Sequence, residues 1–195
     1  CNLTQLQARR LILTVGLGRD LVARDLPTAR NPNKLCDTLT NMLKTSCTKG
    51  WKVTKFLAAG AYGHVFRAVK NDGTKAVMKV QVGSAKEIRH EVKTQKRFCE
   101  NGLAPKILGY CTHAKGHLVH IIVMKEIAGV IGDWLHPLKS KEQLGQLTLG
   151  IFELMESLKK HKLTHGDLHL WNLGYVYTDE SKRYMKLMPI DFGRS

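Results

Sequence analysis

His165-Gly166-Asp167-Leu168-His169-Leu170-Trp171-Asn172, followed nineteen positions after the asparagine by Asp191-Phe192-Gly193, decides how this chain is read. Asp167 can accept a proton from an attacking hydroxyl, or orient it, and Asn172 and Asp191 offer hard oxygen ligands of the kind magnesium prefers. Taken singly, His165, Asp167 and His169 would pass as structural residues. Their order and spacing make chance a poor explanation.

Upstream, Leu57-Ala58-Ala59-Gly60-Ala61-Tyr62-Gly63-His64-Val65 joins two expected strands through small residues, which lets backbone amides approach a phosphate unobstructed. Alone this is weak, because hairpin glycines usually just make a turn. Ala76-Val77-Met78-Lys79 then ends an apolar run on a lysine whose compact charge can neutralise phosphate oxygens. A helix is expected at 84–100, with Ile88, Val92, Gln95 and Phe98 on one face, Lys86, Arg89, Lys93, Lys96 and Arg97 on the other, and Glu91 at the edge of the apolar face. An acid turned toward a core wants a cation, and Lys79 is the natural partner. The basic stripe reads as a solvated outer face.

The rest of the chain supplies the frame. Alternation predicts strands at 53–57, 64–69 and 76–82 as an antiparallel meander with a turn at Asn71-Asp72-Gly73, and a buried strand at 118–124. A long helix is expected at 141–161 with Leu144, Leu147, Ile151, Leu154, Met155 and Leu158 on one face, then strands at 173–177 and 184–190. Before all of these, helices are expected at 3–25 and 36–46, with a loop at 25–34, and Asn2-Leu3-Thr4 fits a glycosylation triplet.

With 195 residues and 43% hydrophobic content the chain can bury a real core, and no run approaches the roughly 18 to 20 apolar residues of a membrane-spanning helix. The net charge of +15 is uneven: residues 1–50 carry 8 basic and 3 acidic side chains, 51–124 carry 13 and 4, and 125–195 carry 10 and 9. Such a field favours acidic partners. Nucleic-acid binding is the minority reading, since no basic patch is interleaved with aromatic residues. The five cysteines, odd in number and without a C-x-x-C pair, read as reduced structural thiols rather than as a disulfide framework or zinc site.

From Trp51 to Gly193 the ordered set of glycine-rich loop, strand lysine, helix glutamate, catalytic loop and Asp-Phe-Gly resembles the protein-kinase-like superfamily, and within it compact serine/threonine kinases of the kind found in large DNA viruses and among secreted bacterial effectors. The resemblance implies an α+β, two-lobe fold: a helical extension at 1–50, an antiparallel N-lobe with one main helix at 51–124, and a reduced, mostly helical C-lobe at 125–195. It implies that Gly60 and Gly63 cover the phosphates of ATP, that Leu57, Val65 and Val77 line the nucleotide, and that Lys79 pairs with Glu91. Asp167 would be the catalytic base, and Asn172 and Asp191 would hold Mg²⁺ or Mn²⁺. Met124 looks like the gatekeeper, with Lys125, Glu126 and Ile127 as a hinge whose backbone meets adenine. The expected activity is transfer of the γ-phosphate to serine or threonine of a protein, acidic by charge complementarity, inside a cell.

Five positions depart from the family pattern. Ala58 replaces the first loop glycine, Val77 the usual alanine of the adenine roof, Gly166 an arginine, His169 a lysine, and Gly174 the apolar residue that floors the adenine. The His-Gly-Asp-Leu-His-x-x-Asn form also looks like phosphotransferases for aminoglycosides or choline, which is the alternative reading. A kinase-shaped interaction module without catalysis is the third. The region that would bind the acceptor is expected to lie beyond Ser195.

Overall fold

The computed structural model describes residues 40–41, 44, 46–60, 63–115, 117–136, 139–181 and 184–193. The helix expected at 3–25, the loop after it, the glycosylation triplet and most of the segment 36–46 lie outside these residues. The architecture is α+β with antiparallel sheets, and it divides into two compact units: Cys1–Ile88 with Ile107–Glu126, and Arg89–Lys106 with Ile127–Ser195.

The first unit is a five-stranded antiparallel sheet in the order β1-β2-β3-β5-β4, built from β1 (Trp51–Gly60), β2 (Gly63–Lys70), β3 (Lys75–Val82), β4 (Ile107–Lys115) and β5 (His117–Lys125). Period-two alternation decides which side chains go inward. Phe66, Ala68, Ala76, Met78, Val80, Val119, Ile121 and Val123 form one buried face with Trp51 and Val53. The expected meander is present, closed at 71–74 by Lys70 N–H to the Thr74 carbonyl at 2.9 Å. Strand β4 was not anticipated. It is an edge strand with a register shift between Ile107 and Gly109.

Cys47 and Cys111 form a disulfide in this unit, with Cα atoms 5.6 Å apart. This corrects the expectation of reduced thiols for these two residues. An odd cysteine count excludes complete pairing but not one bridge, and strand β4, which brings Cys111 to Cys47, was the strand the sequence concealed. Cys99 is a free thiol.

The second unit contains a three-stranded sheet, β6-β7-β8, made of β6 (Gly129–Val130), β7 (Leu173–Tyr177) and β8 (Met185–Pro189). Helix α1 (Ala85–Glu100) contributes its last turns, and α2 (Ile131–Trp134) and α3 (Lys141–His161) complete it. Helix α3 starts on a capping box, in which Ser140 Oγ accepts from Gln143 N–H at 3.2 Å and Gln143 Oε1 accepts from Ser140 N–H at 3.0 Å. It ends where Lys162 turns left-handed (φ 52°) and Leu163 N–H bonds the Leu158 carbonyl at 2.9 Å.

The inward face of α3 differs from the expected one. Leu147, Gly150, Leu154 and Leu158 are buried, whereas Leu144, Ile151 and Met155 are exposed. The true stripe runs at i, i+3, i+7 and i+11, its centre turned by about 45° from that of the expected face. Gly150 belongs to it because it lets α3 close on β8, where the Leu187 side chain comes within 3.1 Å of the place of a β-carbon.

Candidate active site

In the first unit, strand register sorts the nucleotide residues expected from sequence. Residues paired directly across antiparallel strands project to the same side. Val65 pairs with Lys79, and on β5 Ile122 and Met124 pair with Lys79 and Val77. Val65, Val77, Lys79 and Met124 therefore share the sheet face opposite the apolar core. Lys79 is 8% exposed, buried for an ammonium. Glu126 is ion-paired with Arg67 through Nε and Oε1. Leu57 is exposed on β1.

Gly60 and Gly63 face each other across the β1–β2 hairpin. Gly63 has a structural reason of its own: a β-carbon there would lie 2.3 Å from the Val80 carbonyl oxygen, so only glycine lets β2 approach β3 this closely.

In the second unit, the chain leaves α3 into the segment that carries the remaining residues. His165 is buried, and its Nε2–H donates to the Ile190 carbonyl at 3.1 Å, while Nδ1 has no hydrogen-bond partner among the described residues. Its ring packs edge-on against Phe192 at 4.8 Å, and Phe192 packs against Phe98 of α1 at 4.8 Å. Burial pushes the His165 imidazole below the usual histidine value; the bond to Ile190 and the charges of Asp191 and Asp167 act in the opposite direction without overcoming it. Gly166 has φ 84°, a left-handed backbone that a side-chain-bearing residue adopts only at a cost, which is a local reason for the glycine.

Asp167 and Asn172 are joined by the turn itself. Asn172 Nδ2 donates to the Asp167 carbonyl at 3.0 Å, and Asn172 N–H to the His169 carbonyl at 2.9 Å. His169 caps the short 3-10 turn at Leu170–Asn172, its Nδ1 accepting from Trp171 N–H at 3.2 Å. The β7–β8 ladder continues one step past Leu173 and Pro189, with Ile190 N–H donating to the Asn172 carbonyl at 2.9 Å. That step sets Ile190, the residue before Asp191, against Asn172. Asp191 is exposed and has φ 62°, a strained conformation for a residue other than glycine, and such strain persists only where the surroundings enforce it.

Glu91, only 2% exposed, also belongs to this unit. A β-carbon placed on Gly193 would lie 3.4 Å from Asp191 Oδ1 and 3.7 Å from Glu91 Oε2, so the two carboxylates flank the same glycine. The second unit thus carries Glu91, Asp167, Asn172 and Asp191, with Asn172 bonded to the Asp167 carbonyl and Asp191 and Glu91 on either side of Gly193. Among the described residues no group of three or more His, Cys, Asp or Glu side chains forms a metal cluster.

Two contributors escaped the sequence. Phe98 was placed on the apolar side of α1 but given no role; it lies seven residues after Glu91, on the same side of the helix, and that spacing was the available signal. Ile127 was expected to act through its backbone, yet its Cδ1 lies 2.5 Å from where a Gly174 β-carbon would stand, with Ile190 Cγ2 at 3.1 Å. The gap opened by Gly174 is filled by Ile127. No signal local to either residue announces this. No protein-family model matches the chain, and no curated protein matches it.

Proposed function

We propose that the chain is an ATP- and Mg²⁺-dependent protein kinase that phosphorylates serine or threonine, with a protein-kinase-like two-lobe fold. The observation that carries this reading is the bracing of Asp167, Asn172 and Asp191 by two bonds: Asn172 Nδ2 to the Asp167 carbonyl and Ile190 N–H to the Asn172 carbonyl. One proton acceptor and two oxygen ligands are held on adjoining backbone. Phosphoryl transfer needs little more, because its barrier falls mainly through positioning and charge neutralisation.

The donor set fits magnesium. Asn172 commits its amide nitrogen to Asp167, which leaves Oδ1 as its ligand atom, and Asp191 adds an exposed carboxylate. Two hard oxygens suit a cation that completes its shell with phosphate oxygens and water. Bound there, the cation supplies charge neutralisation at the phosphates. Asp167 orients the acceptor hydroxyl and takes its proton as the oxygen bonds to the γ-phosphorus and ADP departs. Lys79 neutralises phosphate oxygens. Val65, Val77 and Met124 supply apolar surface for the adenine, and Ile127 stands in for the side chain that Gly174 lacks.

The acceptor class is tested by ADP release with Mg²⁺-ATP and a panel of unstructured serine- and threonine-containing proteins, aminoglycosides and small alcohols. Turnover with the proteins alone is expected. Turnover confined to small acceptors would replace the protein-kinase reading with a small-molecule phosphotransferase.

A further inference from the structure

Helix α1 presents Lys86, Arg89, His90, Lys93, Lys96 and Arg97 to solvent, all of them exposed, while Ile88, Val92, Gln95 and Phe98 are buried on the other side. At 100° per residue the cationic positions fall within an arc of about 120°. Glu100, at the very end of the helix, is the sole acid in that arc. None of Lys86, Arg89, Lys93, Lys96 or Arg97 is ion-paired among the described residues. This differs from an ordinary solvated helix face, where charges of both signs alternate and pair at i, i+4.

The row steps every three or four residues, roughly 5 Å along the axis, for about 16 Å in all. We infer that this face docks an acidic, Asp/Glu-rich segment of a partner protein. Carboxylates at i, i+3 and i+7 of a helix have the same pitch, and those on alternate residues of an extended chain recur at about 6.6 Å, close enough for long lysine side chains to follow. The arc holds no Phe, Tyr or Trp on which bases could stack. It holds no apolar side chain to enter a lipid surface. The excess positive charge of the whole chain steers an acidic partner toward it. This surface acts whether or not the chain transfers phosphate.

The test is fluorescence anisotropy of the full chain with a labelled Glu-rich helical peptide, a Gln-substituted control, and a single-stranded oligonucleotide of equal charge. The protein variants are Lys93→Glu/Lys96→Glu/Arg97→Glu, the milder Lys93→Gln/Lys96→Gln, and the control reversal Lys159→Glu/Lys160→Glu on the exposed side of α3. The Glu peptide is expected to bind, to weaken by about tenfold or more in the triple variant and by a smaller factor in the Gln pair, and to change little in the α3 control. Melting midpoints equal to the parent chain show that the variants fold. Absence of Glu-peptide binding, equal losses from both reversals, or tighter binding of the oligonucleotide at α1 would overturn the inference.

Discussion

Asn172 gives its side-chain amide to the backbone carbonyl of Asp167 across 3.0 Å, so a proposed metal ligand also fixes the turn that aims the proposed base. Removing it should therefore damage two things by different amounts. Asn172→Ala is expected to lower kcat by about 10²-fold or more, while costing about 1–2 kcal/mol of stability for a lost, largely buried hydrogen bond. Asn172→Asp keeps an oxygen ligand but sets a carboxylate against the Asp167 carbonyl. It should retain a magnesium requirement yet lose comparable stability. Magnesium titrations of activity beside urea melts separate the two effects.

Gly174 and Ile127 should behave as one unit. Gly174→Val puts a β-carbon where Ile127 Cδ1 already lies, 2.5 Å away, and overpacking of this kind costs about 1–3 kcal/mol. Ile127→Ala in the same chain should recover much of that loss. A double-mutant cycle on unfolding free energies reads the coupling, and additive losses would show that the two side chains do not compete for the space.

The pH dependence of stability follows from His165. Its folded pKa is lowered by burial, so the unfolded chain binds the proton first. Stability is present in full above about pH 6.5, the ordinary imidazole value, and is lost as pH falls through the folded pKa. His64, also lowered by burial, contributes with the same sign. His165→Phe should be less stable than the parent at pH 8, because the Ile190 carbonyl loses its donor, and should show a shallower decline toward pH 5. Denaturant midpoints across that range check both halves.

The Cys47–Cys111 bridge closes a loop of 64 residues. Reduction is expected to remove about 2–4 kcal/mol of stability by freeing the unfolded chain. Cys111→Ser should show the same loss and no further response to a thiol reductant. Thermal melts with and without reductant make the comparison.

Strands β1 to β3, helix α1, the extent of α3 and strand β7 were legible because alternation, the Asn-Asp-Gly turn and apolar periodicity are local signals. Strand β4 was not, since Ile107–Lys115 carries Gly109 and polar residues and pairs along one edge only. The exposed Leu144, Ile151 and Met155 show why an apolar arc alone does not fix which stripe turns inward: that depends on what β8 offers to Gly150. At the site, the types and order of Asp167, Asn172 and Asp191 were readable. The hydrogen bonds that brace them, the Phe98–Phe192 packing and the placement of Glu91 by Gly193 join segments far apart in the chain, and periodicity does not encode such pairings.

Phosphoryl transfer from ATP by this chain should depend on Asp167 and Asp191. Incubation of the full chain with γ-labelled ATP, Mg²⁺ and an unstructured serine- and threonine-containing protein tests it directly. Labelled phosphoserine or phosphothreonine is expected, reduced by about 10²–10⁴-fold in Asp167→Asn and abolished in Asp191→Ala. Absence of transfer by the parent chain, or equal labelling by all three proteins, would contradict it.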